Sequence, residues 1–278
     1  MFERILIPLD GSPLAEAVLS QVAAILRRQD SEVFLLRVAP SLVRVRAQSS
    51  PFTSEERGVA ECYVQELARR LVEEGIRARP VVEEGLPAPS ILEVAERERI
   101  TLIAMATHGR TGLTRWVFGS VVEKIIRASP VPLLILRSFR GETSPIPLAP
   151  IPFRTLLVPI SPSFHRIVPH VKEFAGLFKS RVVLLHVAES REENGSQAMQ
   201  DELTKVSEEL MKGDVPSDIL QRKGYPAHEI LETCEDQRAE LIAMSTHGRA
   251  GLSRWALGSV TEKVLQTARV PMLIVRND

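Results

Sequence analysis

Residues Met105–Arg137, MATHGRTGLTRWVFGSVVEKIIRASPVPLLILR, return at Met244–Arg276 as MSTHGRAGLSRWALGSVTEKVLQTARVPMLIVR. More than half of the positions are identical. His108 and His247, Gly119 and Gly258, and Pro132 and Pro271 are all 139 residues apart, so no gap interrupts the block. A period of that size is a whole domain, because solenoid and propeller units repeat every 20–50 residues or so. Outward from this block, ILIPLDGS at Ile5–Ser12 matches LLVPISPS at Leu156–Ser163, and VFLLRVAP at Val33–Pro40 matches VVLLHVAE at Val182–Glu189. The larger offset of these earlier matches puts surplus residues of the first half in or near PSLVRVRAQSSPFTSEE, Pro40–Glu56, which reads as a long loop.

Two domains follow, 1–139 and 153–278. The segment between them, 140–152, lies in SFRGETSPIPLAPIPF, which is rich in Pro, Ser and Gly and has neither apolar period, so it reads as a linker. A length of 278 residues suits two ordinary cores. In the first half short apolar runs alternate with helical patterns. ERILIPLD is followed by a helix over Ser12–Arg28 with Pro13 in its first turn, then EVFLLRVA and a helix over Glu55–Glu74 ended by Gly75. IRARPVVE, a helix over Pro89–Arg99, TLIAMAT, a helix after Ser120 and VPLLILR complete the unit. Strands apolar on both faces that alternate with helices predict a parallel sheet covered on both sides and joined by right-handed crossovers. The expected fold class is α/β: two tandem domains, each a five-stranded parallel-sheet sandwich of Rossmann-like type. Ligands of such sheets gather outside the strands' carboxyl ends, where Asp10 and the THGR segment stand.

Composition narrows the functions. The chain is 44% hydrophobic and 25% charged, within the globular range. Lys plus Arg equals Asp plus Glu at 35 each, so no global basic field collects nucleic acid and any anion binding is local. The amino-terminal MFERILIPLD has no apolar run behind a basic flank, and no run of about 18 apolar residues occurs elsewhere, so neither secretion nor a membrane span is expected. Cys62 and Cys234 lie in different halves with no CxxC and no histidine at ligand spacing, which fits a reduced, cytoplasmic protein without a cysteine metal site.

The candidate chemistry is a phosphate cradle. Gly109, nine residues, then Gly119 and Ser120 is repeated as Gly248, nine residues, Gly258 and Ser259. Glycine-containing turns allow close backbone approach and can aim several amides at one anion. Ser120 to Glu123 and Ser259 to Glu262 have capping-box spacing, which puts a helix amino terminus, with its unsatisfied donors and partial positive charge, beside the Gly-Ser pair. The serines equally serve as plain helix caps and the glycines as plain turns. Asp10 either accepts from an adenine amine or a ribose hydroxyl, or caps the next helix; the second half has Ser161 at that position. Arg110 and Arg249 either reach a phosphate or are solvated. His108 and His247 read as turn-stabilising, and Trp116 and Trp255 as packing residues. No G-x-x-x-x-G-K-S/T, no G-x-G-x-x-G after the first strand, no nucleophile elbow and no paired catalytic carboxylates occur, so no catalytic set is assigned.

MATHGRTGLTRWVFGSV and its repeat, with ILIPLDGS and VPLLILR, resemble the universal stress protein family over nearly the whole chain. The resemblance implies a G-x-x-G-x9-G-S/T cradle and an aspartate ending the first strand, with ATP at the sheet's carboxyl edge and Mg²⁺ bridging its phosphates. It makes Asp10 and Val38, with neighbouring Pro8, Leu9 and Met105, the adenine or ribose side. It makes Gly109, Arg110, Gly119, Ser120 and Val121 the phosphate side. Ala106 stands where the first glycine of the pattern belongs. In the second half the corresponding positions are Ser161, Val187, Ser245, Gly248, Gly258, Ser259 and Val260. Two departures there against one in the first half direct nucleotide to the amino-terminal domain. The resemblance further implies a nucleotide-dependent stress regulator or sensor with at most slow ATP hydrolysis, an unidentified protein partner, last strands that pair between the domains, and further association into a homodimer. An ATP-using transferase on a related scaffold and a nucleotide-free interaction module are the alternative readings.

Overall fold

The computed structural model describes residues 1–28, 30–40, 54–108, 119–138, 151–161, 166–188, 197–247 and 258–277. In chain order the first half contributes β1 (Arg4–Leu9), α1 (Pro13–Leu26), β2 (Glu32–Pro40), α2 (Ser54–Glu73), β3 (Arg77–Gly85), α3 (Pro87–Arg97), β4 (Leu102–His108), α4 (Ser120–Ala128) and β5 (Leu133–Ser138). The second contributes β6 (Thr155–Pro159), α5 (Ile167–Phe178), β7 (Arg181–Ala188), α6 (Gln197–Met211), β8 (Ser217–Lys223), α7 (Pro226–Asp236), β9 (Leu241–His247), α8 (Ser259–Thr267) and β10 (Met272–Asn277). No helix among the described residues is long and apolar enough to cross a membrane.

Two compact units divide the chain: Met1–Val131 with the end of β5 from Leu136, and Ile151–Asp278 with Pro132–Ile135. In the first, strand order is β3-β2-β1-β4 with β5 next, and the β1–β2, β2–β3 and β1–β4 pairs are parallel. Ile5–Ile7, Val33–Leu36 and Leu102–Ala104 are sealed from solvent because helices cover both faces, which is why these strands read as continuous apolar runs. The edge strand β3, RARPVVEEG, is exposed or half-exposed throughout; it tolerates Pro80 because an edge strand leaves one side of its ladder unpaired. In the second unit the order is β10-β9-β6-β7-β8. Leu133, Leu134 and Ile135 of that unit lie opposite Ile274, Leu273 and Met272 in an antiparallel pair, so the arrangement is mostly parallel rather than wholly so.

Helix boundaries show what sequence signals miss. Pro13 sits in the first turn of α1 as expected, with Ser12 as its cap. α3 occupies Pro87–Arg97, two residues earlier than the periodicity indicates, because Pro87 rather than Pro89 opens it. At its far end Arg99 adopts a left-handed φ of 49°, and the Ile100 amide returns to the Ala95 carbonyl at 2.8 Å. A glycine usually marks that stop, and here none does. Cys62 is exposed, whereas Cys234 is buried on α7, where burial raises its thiol to about pKa 11.

The second unit's core begins at Phe153, fully buried with a φ of 50°. Its ring packs edge-on to Phe174 and Phe178, with centroids at 5.1 and 5.0 Å. Truncation of this hub removes both ring contacts and leaves a void, so Phe153→Ala is expected to destabilise the second unit by about 3–5 kcal/mol in a denaturant titration.

Candidate functional site

The first unit's cleft starts from a break in strand pairing. β1 pairs with β2 through Leu9 and Arg37, but with β4 only at Ile5–Leu102 and Leu6–Ile103. Beyond Leu6 the ladder between β1 and β4 ends, on the carboxyl side where strand order turns back, and a crevice opens there. It encloses about 350 Å³, within the range of small-molecule sites. Pro8, Leu9 and Asp10 from the end of β1, Val38 from β2 and Met105 and Ala106 from β4 line it. Gly119, Ser120 and Val121 line it from the start of α4. Nine of the residues singled out in the sequence thus share one wall. Gly109, Arg110 and Gly248 lie outside the described residues, as do Arg249, Trp116 and Trp255.

Sequence reasoning missed Ala15, Leu36, Arg37, Pro87, Ile91 and Val122, which also line the cleft. Leu36, Ile91 and Val122 are buried apolar residues that look like ordinary core in the sequence. Only the approach of α3 to the sheet's carboxyl edge makes them walls. Pro87 and Arg37 carry no motif signal.

The helix amino terminus differs from its capping-box reading. Gly119 is the N-cap of α4, with φ −55° and ψ 134°, and no side chain caps the helix. Ser120 is therefore the first helical residue and Glu123 the fourth. The box fails by one register step, and Glu123 instead pairs with Arg127 at 2.5 Å. The first intrahelical amide bond runs from Glu123 to the Gly119 carbonyl at 3.2 Å. The amides of Ser120, Val121 and Val122 precede it, so the helix supplies them no acceptor, and all three residues line the cleft. Gly258 repeats this geometry as N-cap of α8, with φ −58° and ψ 137°, ahead of Ser259 and Val260. Among the described residues a Cβ on Gly119 would meet nothing within 4 Å, so they leave the space above this glycine open.

Asp10 does not cap α1. Its Oδ1 accepts the Ser12 amide at 2.9 Å, and Ser12 Oγ in turn accepts the Ala15 amide at 3.2 Å, so Asp10 secures the turn and Ser12 caps the helix. Gly11 between them has a φ of 82°, which requires glycine for low strain. Behind the turn, Arg37 Nη1 donates to the Leu9 carbonyl at 3.2 Å, and Tyr63 of α2 donates to Glu16 of α1 at 3.0 Å. Burial, then the Glu16 carboxylate, keep the Tyr63 phenol protonated well above its usual range, while Arg37 opposes them.

In the second unit Ser161 holds the place of Asp10, and Ser245 that of Ala106. Ser245 is buried, its Oγ has no partner among the described residues, and its carbonyl accepts from Thr261 Oγ1 at 3.5 Å. His228, Glu229 and Glu232 of α7 bring three ligand atoms close enough to share a cation, and two of the three residues are exposed. Among the described residues lining the first cleft, Ser120 is the only hydroxyl, and no histidine or cysteine accompanies it. The arrangement suits an anion on helix amides and a flat apolar group against the strand ends, and among the described lining residues no nucleophile and base stand in contact.

The universal stress protein family matches this chain twice, over residues 1–137 and 152–276. The chain belongs to that family. A universal stress protein of Methanocaldococcus jannaschii is 31% identical over 149 residues, covering 51% of this chain and 86% of that protein. One of Mycolicibacterium smegmatis is 22% identical over 300 residues, covering 98% of this chain and 96% of its own length. The crystal structure of a universal stress protein from Archaeoglobus fulgidus shares the fold, with a TM-score of 0.79 at 22% identity over 99% of this chain and 98% of that one.

Gly11, in the turn after β1, and Gly119, in the cleft wall, separate backbone need from open space. Gly11→Ala is expected to cost about 1–2 kcal/mol through its left-handed backbone, whereas Gly119→Ala should cost less than about 1 kcal/mol, as judged by equilibrium unfolding of each.

Proposed function

We propose that the first unit binds an adenine nucleotide, ATP in particular, and that the chain acts in the cytoplasm as a nucleotide-dependent stress regulator or sensor. The observation that carries this reading is the start of α4. Three amides without intrahelical acceptors line a cleft of about 350 Å³ beside a glycine with open space above it. A polyphosphate seats there, with the helix's partial positive charge behind it. The adenine and ribose lie toward Val38 and Asp10, between the apolar walls formed by Leu36, Ile91 and Met105. Ala106, in the place of the pattern's first glycine, narrows the approach by one methyl group.

Mg²⁺ would accompany the nucleotide through its phosphates, since Asp10 is the one carboxylate among the described residues that line the cleft. The residues that line the cleft bind and orient; any hydrolysis is slow and incidental. The second unit, with Ser161 and Ser245 at the two departing positions, binds weakly or serves as the structural companion of the first.

ATP, ADP and AMP are titrated against the protein, along with cAMP, with which another universal stress protein has been solved. A polyphosphate seat predicts that affinity falls as phosphates are removed. Asp10→Ala and Gly119→Ala should each weaken ATP about tenfold, roughly 1.4 kcal/mol, with the fold retained. Unchanged affinity in both variants would rule out this cleft as the nucleotide site.

A further inference from the structure

The two units solve one local problem with different side chains. The repeat sets Arg37 against His186 and Leu9–Asp10 against Ile160–Ser161. In the first unit the Arg37 guanidinium donates to the Leu9 carbonyl at 3.2 Å; in the second, the His186 ring donates through Nδ1 to the Ile160 carbonyl at 3.3 Å. Leu9 and Ile160 are both buried, and their carbonyls stand at the point where each first strand leaves the sheet. A buried carbonyl at such a point has fewer ladder donors ahead of it, and a side-chain donor helps to satisfy it. Each unit supplies it from the same position of the neighbouring strand.

The substitution is paired with a second one. Where the strand ends on the carboxylate of Asp10, the donor is a guanidinium; where it ends on Ser161, the donor is an imidazole. A fixed cation near a carboxylate favours the charged form, while near a hydroxyl it would go uncompensated. The guanidinium also underlies the turn, since its Nη2 lies 3.8 Å from where a Cβ on Gly11 would sit. With Glu16 of α1 and Tyr63 of α2, Asp10 and Arg37 make one polar cluster at the β1 end of the cleft.

We infer that Arg37 is a positioning residue for the first unit's cleft: its clamp on the Leu9 carbonyl holds the turn that presents Asp10 to the ligand, and His186 is the second unit's version of that clamp. The functional consequence rests on the nucleotide reading above, whereas the clamp itself is measurable in ligand-free protein.

Arg37→Ala, Arg37→His and Arg37→Lys proteins are titrated with ATP at about pH 9, more than two units above an imidazole's ordinary pKa and below that of a lysine. Amide exchange at Ser12, whose acceptor is Asp10 Oδ1, is followed without nucleotide. Arg37→Ala should weaken ATP about tenfold and speed Ser12 exchange, and Arg37→His should restore both to within about threefold. Rescue of affinity by lysine but not histidine would make Arg37 a cation that touches the ligand and would overturn the positioning role. Ser12 exchange unaffected by Arg37→Ala overturns the clamp whether or not ATP binds. Wild-type protein that binds no ATP, with Ser12 exchange still dependent on Arg37, sinks the nucleotide reading and leaves the clamp standing.

Discussion

The parting of β1 from β4 after Leu6 and Ile103 is the constraint on which the first unit's architecture turns. Parallel strands buried on both faces force every connection to cross over a face of the sheet. The strand order reverses at β1, with β2 and β3 to one side and β4 to the other. A crevice remains there, floored by strand ends and roofed by the first turns of α3 and α4. The seam of the second unit is built alike, with β6 and β9 paired only at Leu156–Leu241 and Leu157–Ile242. Each unit thus carries the same break in pairing, inherited from topology rather than from any one residue.

Residue choice then makes the two openings unequal. The first has a carboxylate and a guanidinium at its β1 end and apolar Ala106 and Val122 in its wall. At the corresponding positions the second has Ser161, His186, Ser245 and Thr261, so charge is exchanged for hydroxyl and imidazole groups that are mostly buried. Unpartnered buried hydroxyls such as Ser245 Oγ carry a desolvation cost that an alanine does not. A duplicated domain that keeps its backbone while altering these few positions retains the fold and changes the electrostatic character of one cleft.

Much of the helix and strand pattern was legible in the sequence, since alternating apolar runs, Pro13 and the glycine after α2 are local signals. The end of α3 was not, because Arg99 takes the left-handed conformation usually marked by glycine. The capping box at Ser120 misled for a related reason. Its spacing is right, but the helix begins one residue earlier relative to the box, and the cap is set by backbone dihedrals that the spacing does not encode. Asp10 could be named but not assigned, because a carboxylate before Gly-Ser suits a cap and a turn equally until Ser12 is seen to cap the helix itself.

By itself the sequence determined the duplication, the α/β class, the strand-end location of Asp10 and the place of Gly119 ahead of a helix, since periodicity and repetition are properties of the chain alone. Only the tertiary structure decided that Leu36, Pro87 and Ile91 are walls of a cleft rather than core and connection, and that Arg37 reaches back to the Leu9 carbonyl. Those contacts join residues dozens of positions apart, and no local pattern records them because they exist only where separate strands and helices converge at the sheet's carboxyl edge.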